Sequence, residues 1–177
     1  MEPAVDLHDA ILPAWRTNAL VTERLIRALP RPVYLAAIPG CPRRTVRAVA
    51  AHLHNSRCLW LRTLGRPLGI PGPSPVDRRS VSQAELVRAL RRSARGMLAL
   101  LHLGCDRGGS IPPTRAYVWR NLALDVGHLL TYFVAHEAHH RGQLALIARQ
   151  LGVPLPAEAA AGLWQWKPAA ASRPARA

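Results

Sequence analysis

The segment from about Leu122 to Leu151 reads as one helix of roughly 30 residues, closed by Gly152, a favoured residue just past a helix end, and by Pro154 beyond it. In a chain of 177 residues, so long a helix needs comparable partners to cover its apolar face. Three other segments supply them. The first runs from about Asp6 to Leu29, with Ile11, Trp15, Ala19, Leu25 and Leu29 as its apolar positions. Pro13 starts or kinks it, and Pro30 and Pro32 end it. The second runs from about Thr45 to Leu64 and stops at the loop GRPLGIPGPSP. The third opens on the capping box Ser82-Gln83-Ala84-Glu85, in which serine and glutamate each satisfy a free amide, and continues to about Leu103. A short fifth helix is expected in PAEAAAGLWQW. Strand signals are poor, with YLAAI and AYVWR the only candidates. The expected fold is all-α: an antiparallel four-helix bundle with long loop connections and a short C-terminal helix. One domain is expected over residues 1–166, followed by a disordered basic tail, 167–177.

Composition narrows the class. No apolar run reaches ~18 residues without a charge, so no transmembrane helix is expected. The acidic start MEPAVDLHDAILPAW lacks the basic region of a signal peptide. Cys41, Cys58 and Cys105 are odd in number and form no CxxC, which suits a reduced, cytoplasmic protein. The net charge is +14, and Lys167 is the only lysine. Such charge admits a nucleic-acid partner, but no basic run is interleaved with aromatics in the manner that stacks bases. In LVRALRRSAR, Arg88, Arg91, Arg92 and Arg95 recur at helical spacing opposite Leu86, Leu90 and Met97, as one wet face of an amphipathic helix.

The long segment contains HEAHH: His136, Glu137, His139 and His140. This fits the H-E-x-x-H pattern of zinc proteases, in which Glu137 would be the general base. Residues four apart share a helix face, so His136 and His140 can grip one ion. A third ligand would come from a facing helix. The second segment offers His52 and His54, about 200° apart around the axis. His52 falls with Val49, Ser56 and Leu59 and is read as inward; His54 falls with Arg47, Arg57 and Leu61. A histidine satisfied within the fold is the simpler alternative for each of these residues, and it is the reading taken for His8, His102 and His128.

Taken together, AAHLHNSRCLWL, HEAHHRGQL and the late GLWQW resemble the DinB-like (DinB/YfiT) family of metal-binding four-helix bundles over about residues 8–166. The resemblance implies a homodimer with a three-histidine site formed by His52, His136 and His140. Its divalent ion would be nickel, zinc, manganese or iron, among which ligand type does not choose. Arg141, Gly142 and Gln143 match the family's RGQ. Gly142 is expected to permit close helix packing, and Gln143, with Arg141, to support the ligands. His139 matches a variable position. Some members of the wider group are thiol-dependent transferases or isomerases, which implies a small-molecule substrate and a low-molecular-weight thiol. The expected function is therefore a metal-dependent enzyme of thiol S-transferase or hydrolase type.

Two alternatives stand beside it. One is a non-enzymatic, basic nucleic-acid-binding protein with a structural metal. The other is an HExxH protease, with Glu158 as the only downstream acidic ligand. The protease reading lacks the metzincin extension, since Gln143 and Leu146 stand where glycine and histidine are needed, and it leaves His52 unexplained. Glu137 is then expected to face solvent or to support the ligands.

Overall fold

The structure, a computed structural model, describes residues 6–117 and 122–166. The expected disordered tail, and most of AYVWR, lie outside the described residues. Those residues form six helices: α1 Leu7–Ala28, α2 Arg31–Leu35, α3 Val46–Trp60, α4 Gln83–Cys105, α5 Val126–Gln150 and α6 Ala157–Gly162. A π turn, Leu61–Gly65, and a 3-10 turn, Arg66–Leu68, extend α3.

The starts are set by local chemistry. Asp6 accepts from His8 N at 2.8 Å to cap α1, and Pro13 lies inside that helix without ending it. Ser82 and Glu85 make the reciprocal contacts of a capping box at α4. Asp125 accepts from His128 N at 2.9 Å and so begins α5 later than the apolar pattern suggests. Between α2 and α3 lies an unexpected hairpin, β1 Ala37–Ile38 with β2 Cys41–Thr45. The last two residues of YLAAI form the whole of β1, while CPRRT carries no strand pattern.

The core has two apolar clusters separated along the helices by a polar layer. One gathers Leu25, Val49, Leu86 and Leu144. The other gathers Trp15, Trp60, Met97 and Phe133. Between them on the four long helices sit Asn18 and Thr22 of α1, Arg57 of α3, Ser93 of α4, and Glu137 and Arg141 of α5, all buried. The order of these layers gives the helix directions. α1 and α5 run from the Trp15 cluster to the Leu25 cluster, and α3 and α4 run the opposite way. The expected antiparallel packing therefore holds for α1 with α4 and for α3 with α5. α3 and α4 are parallel, which is why a long connection has to return the chain between them. Cys41, Cys58 and Cys105 are free thiols, and no described helix is long and apolar enough to cross a membrane.

Candidate metal centre

α3 and α5 lie side by side in opposite directions, which brings His52 against His136 and His140 across 84 positions of sequence. The Nε2 atoms of His52 and His136 are 3.2 Å apart. The three ring centroids are separated by 5.2, 4.8 and 4.7 Å, and one ring nitrogen of each residue lies within 4.8 Å of the others. His52 and His136 are partly exposed and His140 is buried, so the cluster sits at the rim of the helix pair, open on one side.

The surroundings favour neutral imidazoles. Burial, then the neighbouring His140 and His52, pushes the pKa of His136 down to about 4. Burial also lowers His52, with His140, Arg78 and Arg44 adding to the effect. His140 is lowered chiefly by burial, against a hydrogen bond to Gln143 that works the other way. His140 Nδ1 lies 2.8 Å from Gln143 Oε1. An amide oxygen only accepts, so Nδ1 carries the proton and Nε2 keeps its lone pair. The same amide directs Nε2 at His139 Nε2, 2.9 Å away. The side chain of Tyr132, one turn before His136, stacks on that ring at 5.9 Å and 10°.

This arrangement fits a divalent ion. Metal–nitrogen bonds of about 2.0–2.1 Å place two ligand nitrogens about 2.8–3.4 Å apart for angles between square and tetrahedral, which brackets the His52–His136 separation. His136 Nδ1 is buried and has no hydrogen-bond partner among the described residues, so its tautomer is not dictated by a protein acceptor there.

Glu137 stands differently from expectation. It neither faces solvent nor supports the histidines: its side chain is fully buried. Arg57 donates to both carboxylate oxygens, Nε to Oε1 at 2.7 Å and Nη2 to Oε2 at 2.8 Å. Asn18 Nδ2 and Thr22 Oγ1 donate to Oε2 at 2.9 and 2.7 Å. The carboxylate is thus committed to the core and is not placed to serve as a general base. Arg141 belongs to the same network, donating from Nη1 to Asn18 Oδ1 and Thr22 Oγ1 at 2.8 Å each, and the structure does not place it on the ligands. Gly142 is exposed, and a Cβ there would meet nothing within 4 Å, so it does not serve close helix packing.

The string HEAHHRGQ is therefore two interleaved i,i+4 pairs. Glu137 and Arg141 lock α5 into the core, and that lock turns His136 and His140 toward α3. Sequence reasoning misses the pairing because Arg57 falls with His54, Arg47 and Leu61, away from His52, the residue read as inward. Both are fully buried. His54 sits between α3 and α4, with Nδ1 3.0 Å from Ser93 Oγ and Nε2 3.1 Å from the Ser74 carbonyl. His128 is exposed and bonded to Asp125 at the start of α5. His8 and His102 meet at the surface around Asp106, whose carboxylate oxygens lie 2.8 and 2.9 Å from their rings, a cluster that their sequence positions do not announce.

A helical chain that turns three neutral imidazoles from two facing helices toward one partly open point defines a class: helical proteins with a candidate three-histidine metal site. The DinB family profile matches residues 4–169, nearly the whole chain, and the chain belongs to the DinB family. No curated protein matches it significantly.

Proposed function

We propose that this chain is a metal-dependent enzyme acting on a small molecule, of thiol S-transferase or hydrolase type, built as a four-helix bundle from α1, α3, α4 and α5. The observation that carries the reading is the convergence of His52, His136 and His140 at a partly exposed rim. Purely structural sites close their coordination with a fourth protein ligand, whereas catalytic sites keep a position open. His52, His136 and His140 would hold the ion, and Gln143 would fix the His140 tautomer. A bound divalent ion supplies Lewis acidity, lowering the pKa of a thiol or water that enters its open position. The chain's own part is to keep the three imidazoles neutral by burial and to hold α5 in register through the Glu137–Arg57 lock. The family resemblance further implies a homodimer, and exposed Leu146 and Trp164 offer apolar surface to such an interface.

Elemental analysis of the native protein beside His52→Ala tests the site. About one nickel, zinc, manganese or iron per native chain, lost in the variant, is the expected result. Metal retained by the variant would sink the ligand assignment. Turnover of a thiol with an electrophilic acceptor, abolished by His136→Ala, tests the reaction type. Activity that persists in metal-free His136→Ala would exclude metal catalysis.

A further inference from the structure

The surface beside His52 folds into a cleft of about 460 Å³, bordered by Arg43, Arg44, Arg47, Arg78, Arg79 and His52 itself. Arg43 and Arg44 come from β2, Arg47 from the first turn of α3, and Arg78 and Arg79 from the connection before α4. The unexpected hairpin thus has a consequence: it brings two guanidiniums to the edge of the histidine cluster.

Unpaired arginines mean little by themselves in a chain of net charge +14. Here they converge on one concavity. No acidic residue lines it, and among the described residues none of the five joins an ion pair, in contrast to Arg57, Arg91 and Arg141. Asp77, next to Arg78 in sequence, accepts from Arg79 N at 2.9 Å and Ser80 Oγ at 2.6 Å; its charge is felt by Arg79 and Arg47, but it forms no ion pair with either.

A second observation points to a ligand. Arg47 Nε is buried without a hydrogen-bond partner among the described residues. Leaving a buried donor unpaired is costly, so a turn of the Arg47 side chain toward an anion in the cleft it lines would relieve that cost. The first turn of α3 borders the cleft and contains no acidic residue, so the positive end of that helix adds to the same field.

We propose that this cleft binds the carboxylate or phosphate of a small anionic substrate and thereby sets the reacting part of that molecule against His52, His136 and His140. The volume suits a small-molecule site, and guanidiniums match both anions in fork geometry. The placement of the reacting part rests on reading the histidines as a catalytic metal centre; the anion site stands on the arginines alone.

The test is calorimetric titration of the metal-loaded, full-length chain with inorganic phosphate and, separately, with succinate. The variants are Arg44→Ala/Arg78→Ala and a control, Arg88→Ala/Arg95→Ala, which removes equal charge from the exposed face of α4. Binding of either anion should weaken by about tenfold or more in the cleft variant and by less than about twofold in the control, with metal content unchanged in both. Addition of the bound anion should also shift the His52 ring signals in nitrogen NMR, in the native chain and not in the cleft variant. Equal weakening in the two variants would reduce the effect to net charge and overturn the proposal. So would the absence of binding at millimolar anion, or a cleft that binds only random DNA duplex. Metal content and thiol turnover are read separately, so a chain that binds anions in the cleft but holds no metal fails the enzymatic reading and the substrate placement while keeping the anion site.

Discussion

Glu137 and His136 are neighbours in sequence with opposite duties. Glu137 is sealed in the core with four donated hydrogen bonds, and Arg57 lies over Trp15 with its guanidinium carbon 4.9 Å from the ring centroid. Removing one member of a buried pair strands the other charge, at a cost of about 3–5 kcal/mol. Glu137→Gln should therefore lower the unfolding free energy of the metal-free chain, read from urea curves, by an amount in that range. His136→Ala empties a partly exposed rim position and should leave stability nearly intact. A protease base would behave in reverse, losing activity with little loss of stability. Unfolding curves of the two variants decide the matter, and a Glu137→Gln protein as stable as the native chain would refute the lock.

At the level of elements, the sequence announced each long helix through its caps and breakers. Ser82 and Glu85, Pro30, and Gly152 act through local hydrogen bonds and backbone limits that need no tertiary context. The relative directions of α3 and α4 were not legible, because they depend on which ends share a cluster. The face of α3 was misjudged for the same reason. With His52 inward, the helix wheel turns His54 and Arg57 away from the core, yet Ser93 and Glu137, supplied by other helices, satisfy them inside. Glycines show the same dependence on partners. A Cβ at Gly96 would lie 2.6 Å from Leu61 Cδ1, where α4 crosses the π turn. Gly96→Ala should cost about 1–3 kcal/mol through overpacking. Gly142→Ala, exposed on α5 with no atom in reach, should instead stabilise by about 0.5–1 kcal/mol from helix propensity. Both shifts are measurable by thermal unfolding, and a destabilised Gly142→Ala would mean that the glycine of RGQ does serve close packing.

For the whole molecule, the histidines set the acid limb of stability. His52, His54, His136 and His140 all have pKa values lowered chiefly by burial. A histidine depressed on folding is protonated first in the unfolded chain. Between its ordinary value of about 6.5 and its folded value the unfolded state binds more protons, and stability falls as pH falls. For His136 that window runs from about 6.5 down to about 4. His8 opposes the trend, since the hydrogen bond to Asp106 raises its pKa, but it is a single group at the surface. The carboxylates held low by their partners, among them Glu23 beside Arg91 and Asp125 beside His128, begin to withdraw their contribution only as pH falls through the ordinary carboxylate values of about 4. The metal-free chain should therefore lose stability from pH 6.5 downward, well before its carboxylates titrate. His136→Ala should flatten that slope, because the variant has one depressed histidine fewer. Urea unfolding in a chelating buffer at several pH values between 7.5 and 4.5 measures both effects. A native profile that stays level down to pH 5 would show that the buried imidazoles accept protons in place, and would remove the basis for three neutral ligands awaiting an ion.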